Sequence, residues 1–60
     1  MYILLTVKEN YFVEYLFNSL IISDSITEAM IFEDIEQAKK FKEMLQEQCK
    51  LKTSISTFIK

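Results

Sequence analysis

The side chains able to do chemistry are few in this 60-residue chain, and their spacing keeps them apart. Cys49 is the only cysteine, every basic residue is a lysine, and there is no histidine, glycine or proline. A nucleophilic thiol needs a cation or a helix N-terminus beside it. Cys49 falls instead at the end of a helical pattern, on its apolar side, where burial and the negative helix terminus both disfavour a thiolate. It reads as a small core hydrophobe. Lack of histidine removes the commonest general acid/base and metal ligand, and one thiol cannot build a structural zinc site. Lack of glycine removes the usual phosphate-cradling loops. Glu28, Glu33 and Asp34 could pair as carboxylates, but nothing in the pattern gathers them into a pocket. Tyr2, Tyr11 and Tyr15 lie in sheet-forming runs, where an exposed tyrosine is an interface anchor before it is a catalyst. The sequence predicts no catalytic residue, no cofactor and no metal. The chain is expected to act by binding and not as an enzyme.

The elements follow from hydrophobic period. Tyr2 to Lys8 reads as a strand, with Ile3, Leu5 and Val7 on one face and Tyr2, Leu4 and Thr6 on the other. Tyr11 to Phe17 is rich in aromatic and branched residues and reads as a second strand. Its rival is a helix, because Phe12, Leu16 and Leu20 are spaced four apart. Leu20 to Ile22 continues or resumes the sheet, and Ala29 to Phe32 is a further short strand. Turns must be made by Asn, Asp and Ser, at Glu9-Asn10, Asn18-Ser19 and Ser23-Asp24-Ser25. Asp34 with Gln37 three residues later forms a capping box. Behind it Ile35, Ala38, Phe41, Met44, Leu45 and Cys49 recur at helical spacing, predicting a helix from about Ile35 to Gln48 or Lys50. Lys52 to Ile59 alternates as a last strand. The expected fold is α+β: one domain over residues 1–60, a single small sheet of three or four strands packed on one helix, in the order β-β-β-α-β.

One helix covers one face of one sheet. The other face is expected to carry Tyr2, Leu4, Phe12, Leu16 and Phe58, depending on register, and an open apolar face marks a contact surface. The plainer account is that the segment 18–28 folds back over it. Size points the same way as the open face. In a chain this short, apolar burial at about 25 cal/mol/Å² and an ordering cost of about 1.5 kcal/mol per residue nearly cancel. With disulfides and zinc excluded, association is the remaining staple, so a homo-oligomer is expected, a dimer first. The chain begins at Met1 and reads as a complete small product of the cytosol, without a secretory leader. The apolar run Tyr11 to Ile22 is interrupted by Glu14, Asn18 and Ser19 and falls short of the roughly 20 residues of a membrane span.

Charge is segregated. The net charge is −2, yet from Glu9 to Ala38 there are seven acids and no base, and from Lys39 to Lys60 six lysines and two acids. The helix dipole accounts for Glu33, Asp34, Glu36 and Lys50; it does not account for Glu14, Asp24 and Glu28. Glu14, Asp24, Glu28 and Glu33 are therefore candidate partner-binding residues, an acidic surface that would steer encounter with a basic patch. The plainer account is a solvated face. Lys39, Lys40 and Lys42 lie on the exposed side of the helix. Without arginine, the residue of bidentate phosphate and base recognition, nucleic acid is not an expected partner, though a nucleic-acid or nucleotide binder using that lysine face or a dimer cleft is the alternative.

The stretch Glu28-Ala29, Phe32, Asp34, Glu36 or Gln37, and Ala38 resembles a strand–"EAxxFxDxExA"–helix–strand pattern frequent in very small bacteriophage and prophage proteins of low-GC Gram-positive bacteria. It covers about a quarter of the chain. The motif is structural: Ala29 and Phe32 plug strand onto helix, Asp34 caps, and Ala38 lets the helix sit close. The resemblance implies a phage accessory protein that binds and blocks a host factor, including defence proteins. Together these readings predict a protein–protein interaction module with a host protein partner.

Overall fold

The computed structural model describes residues 1–59; Lys60, the last residue of the basic half, lies outside them. Strands β1 (Tyr2–Thr6), β2 (Tyr11–Leu16), β3 (Ser19–Ser23) and β4 (Thr53–Thr57) form one antiparallel sheet in the spatial order β3-β2-β1-β4. A 3-10 turn spans Ile26–Glu28, and helix α1 spans Ile35–Cys49. The order β-β-β-α-β and the α+β class agree with the sequence pattern. Tyr11–Ile22 is a hairpin and not a helix.

Asp34 stops the extended chain and caps α1, accepting the Glu36 amide hydrogen at 3.1 Å. The expected box is thus one-sided: the cap holds the second helical amide, and Gln37 is exposed. Lys50 closes the helix in the left-handed conformation that glycine usually supplies, with φ 53°, and the Leu51 amide returns to the Leu45 carbonyl.

The core lies between α1 and one face of β1 and β2. Leu4, Phe12, Phe32, Ala38 and Leu45 are its fully buried centre. Phe12, Phe32 and Phe41 pack ring against ring, with centroids 5.2 to 6.4 Å apart. Leu4 faces Ile55 across the β1–β4 ladder, so the helix takes the Tyr2, Leu4, Thr6 face of β1. Thr53, opposite Thr6, is buried there with its hydroxyl unpartnered.

Two expectations about strands fail for identifiable reasons. A β-bulge between Phe12 and Glu14 leaves Val13 as an extra residue, so Phe12 and Tyr15 share the helix side. Strict alternation would put Val13, Tyr15 and Phe17 together on one face. Ala29–Phe32 is no strand but a wedge. Phe32 exchanges backbone hydrogen bonds with Tyr2, and the Met30 amide donates to the Phe12 carbonyl at 2.9 Å. The wedge enters where β1 and β2 diverge; the two strands are in register only at Leu5 and Tyr11.

Because α1 packs on the Tyr2, Leu4, Thr6 face of β1, the expected open face is corrected too. Leu4 and Phe12 are not on it: both are fully buried beneath α1. Tyr2 is half-buried against the same core. By strand alternation the opposite face carries Ile3, Leu5, Tyr11, Ser54 and Ser56. There Ile3 is itself buried, and Leu5 and Tyr11 are half-buried. Asp24 lines a cleft with Leu5, Tyr11 and Ser54 of that face; Asn10 donates to Asp24, and the Ser23 hydroxyl to Glu28 at 2.7 Å. The segment 18–28 thus divides: 19–23 form β3 itself, and Asp24 lies beside the face opposite the helix.

Candidate interaction surface

While Met1, Val7, Ile26, Ile31, Ile35 and Ile59 expose apolar surface elsewhere, Leu16, Phe17, Ile21 and Ile22 do so together on the β2–β3 hairpin. Its turn has only two residues, Phe17 and Asn18, both left-handed, with φ 50° and 62°. Two-residue hairpins favour this type I′ geometry because its twist matches that of the strands. Asn-Gly is the common filling; here a phenylalanine holds the first position. A bulky side chain at positive φ is an outlier. Nothing in the core repays it, for Phe17 is 91% exposed. Below the turn Leu16, Ile21 and Ile22 are exposed as well, and Leu20 is half-buried. Tyr15 reaches the Asn18 side chain with its hydroxyl at 3.3 Å. Its phenol is held above the ordinary tyrosine range, first by loss of hydration and then by the charge and hydrogen bonding of the nearby Cys49.

The acidic candidates divide. Glu14, Asp24, Glu28 and Glu33 are all exposed. Glu14 stands opposite Ile21 on the hairpin, and Asp24 and Glu28 are tied down beside Ser23 and Asn10 at its base. Glu33 stands apart, immediately before the cap of α1. Of the self-association candidates, Leu16 is exposed on the hairpin, whereas half-buried Phe58 is at the far side of the sheet, its amide bonded to the Met1 carbonyl. Lys39 and Lys40 are exposed and Lys42 is half-buried. Lys42 and Lys52 line a cavity of ≈ 270 Å³ with Gln46, Thr53 and Ser54 at the β4 edge.

Among the described residues no three acids, cysteines or histidines gather as a metal site, and no helix is long and apolar enough to cross a membrane. Sequence reasoning missed Phe17, Ile21 and Ile22. The available signal was spacing: two short apolar runs meeting at Phe17-Asn18 leave room for nothing longer than a two-residue turn.

Compared with known families, curated proteins and solved structures, the chain matches no family model, no curated protein and no solved structure.

Proposed function

We propose that the protein is a protein–protein interaction module whose contact surface is the β2–β3 hairpin. The observation that carries this reading is Phe17, an aromatic side chain held 91% exposed on a left-handed turn. Aromatic anchors dominate interface energetics when a partner's pocket desolvates them. Unfavourable backbone geometry at an exposed residue is a reason to look for function. Leu16 beside it extends the apolar tip, and Asp24 and Glu28 at the hairpin base supply a charge field that favours a basic partner. In the small phage proteins that the Glu28–Ala38 motif resembles, such binding blocks a host or defence protein, and the same role is proposed here.

Affinity capture with immobilised protein tests the reading. Wild type should retain a specific protein. Phe17→Ser should weaken that capture by about 30-fold or more, the range of an anchor residue worth about 2 kcal/mol. Asp24→Lys with Glu28→Lys should slow association and reduce its salt dependence. Capture indifferent to both variants would contradict the proposal.

A further inference from the structure

We propose that the outer edge of β3 pairs with a second copy of this chain, Ser19–Ser23 running antiparallel to Ser19–Ser23 about a two-fold axis at Ile21. The inference rests on the reading of the hairpin as a contact surface and names one occupant for it.

The strand is nearly the same in both directions: Ser-Leu-Ile-Ile-Ser. Antiparallel pairing about Ile21 sets Ser19 against Ser23, Leu20 against Ile22, and Ile21 against itself. Each apolar residue meets an apolar residue, and each serine a serine. The backbone agrees. In a two-residue hairpin the flanking residues, Leu16 and Ser19, exchange hydrogen bonds with each other. Alternation then aims the amide and carbonyl groups of Leu20 and Ile22 out of the sheet. Among the described residues no loop or turn backbone bond reaches either of them. Those are the groups that Leu20 and Ile22 of the second copy would meet. The central Ile21 pair is then a non-hydrogen-bonded one, the kind with the closer side chains.

Natural edge strands are usually blunted by lysine, proline or a bulge. β3 has none of these, and it exposes Ile21 and Ile22. The other edge, β4, reads Thr-Ser-Ile-Ser-Thr and is also symmetric. It is guarded, however: Lys42 and Lys52 stand beside Thr53 and Ser54. A second strand there would find only Ile55 as an apolar residue and would desolvate those ammonium groups. At β3 the acids stay apart. The two Glu14 residues would be separated by three strand spacings, roughly 14 Å, beyond the screening length of about 8 Å at physiological salt. The two Asp24 residues would lie roughly 20 Å apart along the strands. The two Phe17 tips would sit at opposite ends of the joined strands, so the pair would present two anchors.

Five paired residues per copy bury less than the roughly 1,200 Å² of a stable interface. The expected dissociation constant is therefore on the order of 10–100 μM. Sedimentation equilibrium of the full chain across that range should show monomer and dimer. Ile21→Lys, at an exposed position, should weaken the dimer at least tenfold while leaving the circular dichroism melt in place, and Ser56→Lys on β4 should leave it unchanged. In a Cys49→Ser background, Ile21→Cys should give a disulfide dimer with oxidised glutathione, because Cα atoms of a non-hydrogen-bonded pair lie about 4.5 Å apart; Ile26→Cys should not. A chain that stays monomeric up to about ten times that range, or a dimer lost in Ser56→Lys and kept in Ile21→Lys, would overturn the pairing. Phe17→Ser separates the two proposals: a dimer that survives it supports the β3 pairing whether or not partner capture is lost.

Discussion

The two halves of the sheet are built alike and finished differently. β1 and β4 are paired along their whole length, from Tyr2 with Thr57 to Thr6 with Thr53, and α1 closes over them. β2 and β3 are paired almost as fully, yet the hairpin meets β1 in register only at Leu5 and Tyr11 and carries its tip into water. In the first half Leu4, Leu45 and Ala38 have no exposed surface, and the exposed Val7, Ile35 and Ile59 lie only at element ends. In the second only Phe12 is buried so fully, and Leu16, Phe17, Ile21 and Ile22 remain outside. A chain of this size has few apolar residues to spare. Placing four of them on one exposed hairpin is the feature that calls for a partner.

Substitutions should separate the halves sharply. The largest effect is expected at the core. Phe32→Ala removes a fully buried ring that stacks on Phe12 and packs tilted against Phe41, and should cost about 3–5 kcal/mol. In a domain this small that is most of the stability, so thermal melting should show a chain largely unfolded near room temperature. Leu16→Ser on the hairpin should shift stability by no more than about 0.5 kcal/mol. Comparable losses from the two would mean that the hairpin is part of the core after all.

A smaller effect, of opposite sign, is expected at the turn. Phe17→Asn places a residue suited to the left-handed conformation where phenylalanine is strained. It should stabilise the fold by about 0.5–1 kcal/mol, or a few degrees in Tm, while weakening partner capture. Destabilisation would show that the ring is held by the fold and not kept for a contact.

The smallest effect belongs to Tyr15, the residue that links hairpin to core. Its pKa is raised in the folded chain, so on raising the pH the unfolded chain gives up this proton first. The stabilisation from the neutral phenol is complete below the ordinary tyrosine pKa, about 10, and is lost as pH climbs through the folded value. Melting followed from about pH 9 to 11 should fall more steeply for wild type than for Tyr15→Phe; identical slopes would remove this coupling.

Much of the fold was legible because its strongest signals are local. The apolar period from Ile35 to Cys49, with Asp34 before it, specifies α1, and branched and aromatic runs specify β1, β2 and β4. What could not be read is long-range. The extra residue at Val13 reverses the facing of everything after it, and no local pattern marks a bulge. Which face of the sheet α1 covers is equally unmarked, because both faces of β1 are largely apolar; α1 takes the one that carries Leu4 and Phe12. Ala29–Phe32 has strand-like composition, yet it has room only to wedge between diverging strands. Phe17 was hidden because phenylalanine is not a turn residue. The acids were legible as a group, but the fold sends Glu33 to the helix start and keeps Glu14, Asp24 and Glu28 with the hairpin.

The division of labour can be tested by amide chemical shifts recorded on dilution of the isotopically labelled full chain. Shifts that change with concentration across Ser19–Ser23 and the adjoining turn, with β4 and α1 unmoved, are the expected result. Changes centred on Thr53–Thr57 or on α1, with the hairpin unmoved, would contradict it.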